Sequence, residues 1–355
     1  MVTCGAGSDL RRTDVVVVGG GPAGLAAAIA IRLKGFEVTV VEAARPPIDK
    51  ACGEGIPPAG VETLRQLGVH LPEQDAFRVR GIRFLDRGCA VEAPFQFGVG
   101  CAVRRTRLHE MLACRASELG VRLLWGTHLP DCSGLSARQW IVGADGNNSS
   151  VRHAAGLDAA SSESTRFGFR RHYRISPWTD FVEVHWGSRC QLYVTPVSRD
   201  EVGVALLSRD SHLRLDTALR EFPELERRLR GARPCSIERG AVTVSRKLRR
   251  VFHGRTVLVG DASGSVDAIT GEGLSLSFHQ AVALSEALVH GSLAYYEKEH
   301  ARISRRPAFV AGMLLALDRS ASLRRNVFRM MALDPQIFPK LLARCVARVE
   351  PAVQT

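Results

Sequence analysis

Lysine is scarce in this chain, and no nucleic-acid-binding motif is present. The 355 residues include five lysines against 43 arginines, and the formal net charge is +12 at pH 7. So uneven a ratio indicates an arginine bias of the source genome rather than a nucleic-acid footprint. We therefore expect no nucleic-acid partner, and the basic surface favours anionic cofactors, acidic substrates or an anionic membrane face.

Paired cysteines, zinc-binding helices and long apolar runs are also missing. The nine cysteines include no C-x-x-C pair, which argues against a zinc ribbon, an iron–sulfur site or a secreted disulfide framework. No H-E-x-x-H helix or Ser-His-Asp order is present. The uncharged stretch at residues 15–31 is interrupted by Gly-Gly-Gly-Pro, so we interpret it as a buried strand and helix, not a targeting segment. We expect a cytoplasmic protein without a metal.

What remains is the composition of an ordinary globular protein. Hydrophobic residues make up 45% of the chain and charged residues 24%. A chain of this length can bury a large core, and we expect two closely joined domains.

Residues 14–42 read as strand, glycine turn, helix, strand and acid. The valines at 15–18 predict a buried parallel strand, and residues 22–33 predict a helix. The turn between them has G-x-G-x-x-G spacing, at Gly19, Gly21 and Gly24. Such glycines let the backbone approach a pyrophosphate, which the helix N-terminus attracts. The order of these elements predicts a dinucleotide site.

Glu42 ends the second predicted strand, at residues 37–41. A carboxylate at that place suits a ribose 2′-hydroxyl and repels a 2′-phosphate. Two interpretations remain open from this fingerprint alone: NAD bound for hydride exchange, or the ADP half of FAD.

The rest of the chain changes character twice. A loop at 45–60 is followed by an alternation of helices and strands, and residues 166–246 then read as strands of a mostly antiparallel sheet. The α/β pattern returns at 256–290, and a helical tail follows from 301. The predicted helices are 61–67, 104–120, 213–230 and 273–290, and the predicted strands outside the sheet region are 78–99, 121–125, 140–148 and 256–259.

These patterns predict an α/β fold with a discontinuous, Rossmann-like cofactor domain, an inserted sheet domain for the substrate and a C-terminal helical segment. We assign residues 12–77, 100–165 and 246–300 to the first, 78–99 and 166–245 to the second, and 301–355 to the third.

Three separate islands together resemble the FAD-binding signature of the superfamily that contains the aromatic hydroxylases (class A flavoprotein monooxygenases) and the geranylgeranyl reductases. The first is the glycine fingerprint. The second, at 145–152, reads DGNNSSVR and is similar to the D-G-x-x-S-x-x-R turn of that family. The third joins Gly260-Asp261-Ala262 to TGEGL at 270–274. The resemblance covers most of residues 14–300 and favours FAD over NAD.

The resemblance implies which residues contact FAD. Asp261 would bind the ribityl chain, Arg105 would contact the cofactor, and the helix after Thr270 would turn its positive end towards the flavin ring. The predicted cofactor-binding residues are Gly19, Gly21, Pro22, Ala23, Gly24, Glu42, Ala43, Arg45, Cys52, Gly53, Arg105, Asp145, Gly146, Gly260, Asp261, Gly271, Glu272, Gly273 and Leu274.

The branches of the superfamily differ at the third island. GDASGSVDAITGEGL is closer to the geranylgeranyl reductases, except that Ala268 replaces a proline, and the Cys52-Gly53 pair also resembles that branch. Its sheet motif Y-x-W-x-F-P is matched only by QLYVTP at 191–196, with the aromatic positions changed. The halogenases need W-x-W-x-I-P, which is absent.

The resemblance implies an oxidoreductase with NADPH or NADH as electron donor. We expect a monooxygenase that hydroxylates a hydrophobic or aromatic small molecule through a flavin hydroperoxide, plausibly in secondary metabolism. One alternative is a geranylgeranyl-reductase-like enzyme that reduces prenyl double bonds, and another is a nucleotide-binding protein without turnover. We expect a monomer or homodimer in which the tail contacts a membrane peripherally or closes the pocket.

The candidate catalytic residues are Cys52, His172 and Tyr193. A histidine or tyrosine can deprotonate a phenol, and a thiol can protonate a reduced substrate. The wider set of candidate pocket residues adds Tyr173, His185 and Trp186 from the predicted sheet.

Overall fold

A computed structural model describes residues 13–129, 139–158 and 160–345, with the side chains of 160–163 and 344–345 left aside. Residue 12, residues 130–138 and 159 of the predicted cofactor domain, and 346–355 of the predicted tail lie outside the described residues. No helix in the described ranges is both long and apolar enough to span a bilayer.

The described chain alternates strands with helices in its first half and ends in helices. The strands are β1 Val15–Val18, β2 Val38–Glu42, β3 Gly55–Ile56, β4 Ala76–Val79, β5 Gly81–Asp86, β6 Cys89–Pro94, β7 Gly100–Val103, β8 Arg122–Trp125, β9 Trp140–Gly143, β10 Ala160–Arg174, β11 Phe181–Trp186, β12 Cys190–Ser198, β13 Glu201–Ser208, β14 Arg233–Pro234, β15 Arg239–Leu248, β16 Phe252–His253 and β17 Thr256–Leu258.

The helices fall mainly between β2 and β10 and after β17. They are α1 Pro22–Leu33, α2 Pro58–Gln66, α3 Arg105–Glu118, α4 Ser150–Ala154, α5 Leu215–Leu219, α6 Pro223–Leu229, α7 Gly273–Val289, α8 Leu293–Arg319, α9 Ala321–Leu333 and α10 Ile337–Cys345.

A six-stranded sheet in the order β16-β17-β9-β1-β2-β8 forms the cofactor side of the molecule. All of its pairings are parallel except that of β16 with β17. The carboxyl ends of parallel strands meet at one edge of a sheet. The three sequence islands follow β1, β9 and β17, which are neighbours, and this order brings the islands together.

Helices α1, α3 and α7 cover this sheet. Leu25 and Ile29 of α1 and Phe278 of α7 are fully buried with the valines of β1. The strands have few polar residues because both faces are covered, as is usual in parallel sheets. Helix α1 begins at Pro22. The N–H at the first position of a helix has no intrahelical acceptor, so a proline, which lacks that N–H, loses no hydrogen bond there.

An eight-stranded sheet forms the second layer. Its strands follow the order β14-β10-β13-β12-β11-β5-β6, with β15 also paired to β10. Only β11 and β5 run parallel; the remaining pairings are antiparallel. The mostly antiparallel sheet expected from the sequence is therefore present. A third sheet, β3-β7-β4, is small and antiparallel.

Most predicted helices differ from the observed bounds. Helix α2 begins at Pro58 rather than at 61, α3 and α7 differ by one or two residues at their ends, and two predictions differ more. The predicted helix at 213–230 is divided into α5 and α6. Phe222 has non-helical backbone angles, φ −127° and ψ 71°, and Pro223 has no N–H to donate to the previous turn and starts a new helix. The tail does not begin at 301: α8 starts at Leu293 and continues through Pro307.

The C-terminal helices pack on the eight-stranded sheet. Phe328 of α9 stacks on Phe84 of β5, with ring centroids 5.8 Å apart. Arg324 Nε donates to Asp86 Oδ2 at 2.7 Å, and both side chains are buried. Arg166 of β10 donates to Asp318 of α8 at 2.9 Å. These contacts make the helical tail part of the sheet layer.

Candidate functional site

A cleft of about 1460 Å³ opens where β1, β9 and β17 end. Its volume exceeds the roughly 300–1,000 Å³ of ordinary small-molecule pockets, so it has room for a large ligand. The walls continue along β15 and α8, well beyond the three sequence islands.

The glycine turn allows close approach of backbone to backbone. Gly19 has a φ of +110°, and a Cβ there would lie 2.4 Å from the Ala144 carbonyl oxygen. A Cβ on Gly24 would lie 1.8 Å from the Gly19 carbonyl oxygen. A Cβ on Gly21 meets nothing within 4 Å, because that residue faces the open cleft. The turn can therefore admit a ligand at Gly21.

Glu42 lies beside this turn and holds it. The Gly20 N–H donates to Glu42 Oε2 at 2.7 Å, and the Ala44 N–H donates to Oε1 at 2.8 Å. The carboxylate lines the cleft and keeps further lone pairs for a ligand hydroxyl.

His109 of α3 supports the turn from behind, a role that the sequence did not reveal. Its buried Nε2 lies 2.9 Å from the Gly20 carbonyl oxygen, and burial lowers the pKa of the ring. The neutral imidazole is thus a donor to the turn. One signal was available: a histidine among apolar residues on a helix next to the fingerprint sheet.

The second island is built on Asp145. Its Oδ2 accepts from the backbone N–H groups of Ser150 and Val151 at 2.7 and 3.2 Å, at the start of α4. Its Oδ1 is buried without a partner among the described residues.

Arg152 joins the second island to the third. Its Nη1 donates to the Ala262 carbonyl at 3.2 Å and its Nη2 to the Asn147 carbonyl at 2.9 Å. Arg152, the last residue of the D-G-x-x-S-x-x-R turn, therefore holds two walls of the cleft in place and does not itself line the cleft.

Asp261 of the third island faces the cleft. Lys50 Nζ approaches its Oδ2 at 3.4 Å, and the Gly260 N–H donates to Gln280 of α7 at 2.7 Å. Lys50 was not among the predicted residues, because nothing in its loop singled it out. The Asp261 side chain is 42% exposed, so it remains accessible to a ligand.

Cys52 reaches the cleft on a loop that the eight-stranded sheet holds in place. Thr195 Oγ1 donates to the Gly53 carbonyl at 2.9 Å. Glu54 has a φ of +60° and is buried, and its carboxylate oxygens accept from the Arg105 N–H at 2.9 Å and lie 2.6 Å from His172 Nε2. One buried acid thus fixes both the Cys52 loop and the start of α3.

His172 is located in this support rather than in the cleft wall. The ring is fully buried, and its Nδ1 lies 2.8 Å from Ser236 Oγ. Tyr193 donates from its hydroxyl to the Ile269 carbonyl at 2.7 Å, and burial raises the pKa of that hydroxyl. Neither residue lines the cleft. The catalytic roles predicted for Cys52, His172 and Tyr193 remain predictions, and of the three only Cys52 has direct access to a ligand.

The other sheet candidates also have structural neighbours. His185 Nε2 lies 3.1 Å from Glu183, Trp186 packs edge-on to Phe84, and Tyr173 lies in the core beneath α5. None of them lines the cleft.

Nearly all of the predicted cofactor-binding residues meet in the one cleft. Gly24 and Arg45 are the exceptions: the first packs on the back of the turn, and the second lies beside Gly126. The residues that line the cleft are Gly19, Gly21, Pro22, Ala23, Glu42, Ala43, Cys52, Gly53, Arg105, Asp145, Gly146, Gly260, Asp261, Gly271, Glu272, Gly273 and Leu274.

The polar atoms of the cleft fit a dinucleotide such as FAD. Several buried polar atoms have no partner among the described residues, and those on Arg105, Asp145, Asn147 and Glu272 belong to residues that line the cleft. Unpaired buried groups are rare unless a ligand or water satisfies them. An arginine suits a pyrophosphate, and acids suit the hydroxyls of ribose and ribitol.

The sequence matches the model of a family described as the FAD binding domain, over residues 12–138 and 99–293. The chain belongs to the FAD-binding domain family. This flavoprotein is a flavin-dependent oxidoreductase with FAD as its cofactor.

Curated relatives of the flavoprotein include reductases and monooxygenases. Menaquinone reductase of Mycobacterium tuberculosis (strain ATCC 25618 / H37Rv) is 30% identical over 317 residues, covering 79% of this chain and 78% of the relative. Digeranylgeranylglycerophospholipid reductase of Methanothrix thermoacetophila is 28% identical, covering 81% and 83%. The 6-methylpretetramide 4-monooxygenase of Streptomyces rimosus is 27% identical, covering 92% and 91%.

Solved structures share the fold. A flavoprotein/dehydrogenase from Cytophaga hutchinsonii superposes with a TM-score of 0.79 at 18% identity, covering 94% of this chain and 92% of that one. The expected α/β FAD-binding fold with its antiparallel sheet is confirmed.

Proposed function

We propose that this flavoprotein is a monooxygenase that hydroxylates a hydrophobic or aromatic small molecule, with NADH or NADPH, the donors typical of the family. FAD, when bound, accepts a hydride from the nicotinamide and supplies the electrons that activate oxygen. The protein must orient the substrate and exclude water.

The observation that carries the proposal is the part of the cleft beyond the sequence islands. Strand β15 and helix α8 line it with apolar side chains and contribute no acid, although Thr243, Ser245, His300 and Ser304 of the same elements are polar. The apolar residues are Val242, Val244, Leu248, Ala301, Ala308, Ala311 and Leu315. Such a wall favours a hydrophobic ligand and disfavours water.

Cations accompany this apolar wall. Arg246, Lys247 and Arg305 also line the cleft. A nearby positive charge favours the ionised form of an acidic hydroxyl and lowers its pKa. An ionised phenol has a more electron-rich ring. These side chains would stabilise the phenolate once its proton has passed to solvent, because neither His172 nor Tyr193 lines the cleft as a base. A prenyl chain by itself has no group that would use them, whereas the diphosphate of a prenyl diphosphate would bind them.

One observation favours a second candidate, the reduction of a prenyl double bond. Adding hydrogen across a C=C bond needs a hydride on one carbon and a proton on the next. The Cys52 thiol lines the cleft and is held by its loop, so it can donate that proton. Two of the relatives described above are reductases.

Labelled oxygen separates the two candidates. The holoenzyme is supplied with NADPH or NADH, ¹⁸O₂ and a set of long-chain alkylphenols, and products are analysed by mass spectrometry. We expect one ¹⁸O atom in the product and no product without oxygen. The Cys52→Ala variant should retain most of this activity, since oxygen insertion needs no thiol proton.

A product that gains two hydrogens under anaerobic conditions, from menaquinone or geranylgeranyl diphosphate, would contradict hydroxylation and support the reductase, and Cys52→Ala should then lose activity. Purified protein that stays colourless after FAD is added would contradict both and support a binding protein without turnover.

A further inference from the structure

Glu272 is an acid of the cofactor cleft to which neither candidate reaction assigns a role. It lies between Gly271, with a φ of +69°, and Gly273, where α7 begins. It occupies the N-cap position, yet its side chain makes no capping hydrogen bond. Its Oε2 is out of solvent and has no hydrogen-bond partner among the described residues.

These surroundings favour the protonated carboxyl. Burial raises the pKa of Glu272 to about 7, and no charged neighbour contributes to the shift. The N-terminus of α7 acts in the opposite direction, because its positive end favours a carboxylate. The loss of hydration outweighs this attraction, because no described residue would donate a hydrogen bond to an ionised Oε2 in place of water. Near neutral pH the carboxyl is thus present in both forms.

Other titratable groups line the same cleft from every neighbouring element. Lys50 pairs with Asp261, Asp267 pairs with the buried Arg166, and no charged group contributes to the raised pKa of Glu272. The other titratable groups are Glu42 from β2, Lys50 and Cys52 from the loop after it, Arg105 from α3, His128 and Asp145 from the segments after β8 and β9, Asp261 and Asp267 from the turns before α7, Arg246 and Lys247 from β15, and His300 and Arg305 from α8.

Reduction of FAD changes the charge in this cleft. A hydride carries two electrons and one proton, so its transfer makes the cofactor more negative by one charge. A new negative charge nearby raises the pKa of a carboxyl group. When FAD is reduced, any titratable acid close to the new negative charge therefore binds protons more tightly.

We propose that Glu272 takes up one proton from solvent when bound FAD is reduced and releases it when FAD is reoxidised. The carboxylate becomes a neutral carboxyl as the cofactor gains its charge, and no other bond is made or broken. The cleft then keeps its net charge through the redox cycle, which makes reduction easier at lower pH.

The pH range follows from the sign of the shift. Well below pH 7 the carboxyl is protonated in both redox states, so it takes up nothing. From about pH 7 upward it is increasingly ionised in the oxidised state and protonated in the reduced state, and uptake continues until the pH passes its pKa in the reduced state.

The test is the midpoint potential of the bound FAD, measured against pH from 5.5 to 8.5 without substrate. Its slope reports the protons taken up per two electrons. We expect the wild-type protein to take up more protons than Glu272→Gln, by up to one, between about pH 7 and the pKa of Glu272 in the reduced state, and the two proteins to agree near pH 5.5. The matched control is Glu286→Gln, which removes an acid of the same helix that is paired with Lys34 at 2.7 Å.

Infrared spectroscopy gives an independent measurement. The reduced-minus-oxidised difference spectrum of wild type and Glu286→Gln should gain the carbonyl band of a protonated carboxyl, and that of Glu272→Gln should lack it. A wild-type slope without the extra proton at any pH would overturn the proposal, even if the Glu272 variant fails to bind FAD. Because no substrate is used, the result does not depend on whether the enzyme is a monooxygenase or a reductase.

Discussion

Glycine is required at two positions of the first turn for different reasons. At Gly24 the constraint comes from the protein itself, since the space for a Cβ is filled by the Gly19 carbonyl oxygen at 1.8 Å. At Gly21 the protein leaves open space, so any constraint comes from the ligand. Substituting each glycine by alanine therefore separates folding from cofactor binding.

We expect Gly24→Ala to lower the free energy of unfolding of the FAD-free protein by about 3 kcal/mol or more, because backbone must move to admit the methyl group. Gly21→Ala should change it by less than about 1 kcal/mol and should weaken FAD binding about tenfold, or about 1.4 kcal/mol. Urea unfolding and fluorescence titration with FAD measure the two effects. Gly21→Ala with wild-type affinity would show that the pyrophosphate does not lie at this residue.

At the scale of elements, α9 is fastened to β5 by the buried pair of Arg324 and Asp86. Breaking a buried pair leaves an uncompensated charge, which costs far more than losing an exposed pair. The exposed pair of Arg302 and Glu299 on α8, at 2.7 Å, provides a matched comparison on the same helical tail.

Asp86→Ala should lower the free energy of unfolding by about 3–5 kcal/mol, because Arg324 stays buried between the sheet and α9. Glu299→Gln should lower it by about 0–1 kcal/mol. Urea unfolding gives both values. Equal effects of the two substitutions would mean that water reaches Arg324 and that packing of Phe328 alone holds α9.

The sequence predicts helices and strands best where the local residue pattern agrees with the burial that the element has in the fold. The helix at Pro22–Leu33 and the strand at Val15–Val18 were predicted with the observed bounds, because glycines, proline and buried valines mark their ends. The sheet residues were harder to place. The alternation of apolar and polar residues along β10 and β12 shows that His172 and Tyr193 lie on a sheet. It does not show that their polar atoms form hydrogen bonds with other groups of the protein.

Support residues of the site were missed for a related reason. His109 and Glu54 act through contacts between elements far apart in sequence, and Glu54 adopts a positive φ that no local pattern requires. The islands were found because a glycine turn or an acid after a strand is itself a local pattern.

At the scale of the whole molecule, FAD is expected to act as a bridge. The cleft takes residues from β1, from the turns after β9 and β17, and from α7 and α8. A ligand that binds the folded state but not the unfolded chain stabilises the fold in proportion to the logarithm of its concentration. Removing FAD should therefore weaken every part of the structure that the cleft joins.

We expect FAD at 100 times its Kd to raise the free energy of unfolding by about 2.7 kcal/mol over the FAD-free protein. For Asp261→Ala, a tenfold loss of affinity would reduce the gain at the same FAD concentration to about 1.4 kcal/mol. Urea unfolding with and without FAD measures both gains. An unchanged gain in Asp261→Ala would contradict the predicted contact of Asp261 with the cofactor.

The spread of the cleft along the chain, from Val18 to Leu315, also orders events during synthesis. A chain still on the ribosome presents the glycine turn early, but the turn that carries Asp261 and the helix that closes the far wall emerge only after the eight-stranded sheet. The cofactor can therefore gain its full set of contacts only after α8 has left the ribosome. Until then the emerging fold must remain soluble without its flavin, and a chain that stops short of α8 should be made colourless.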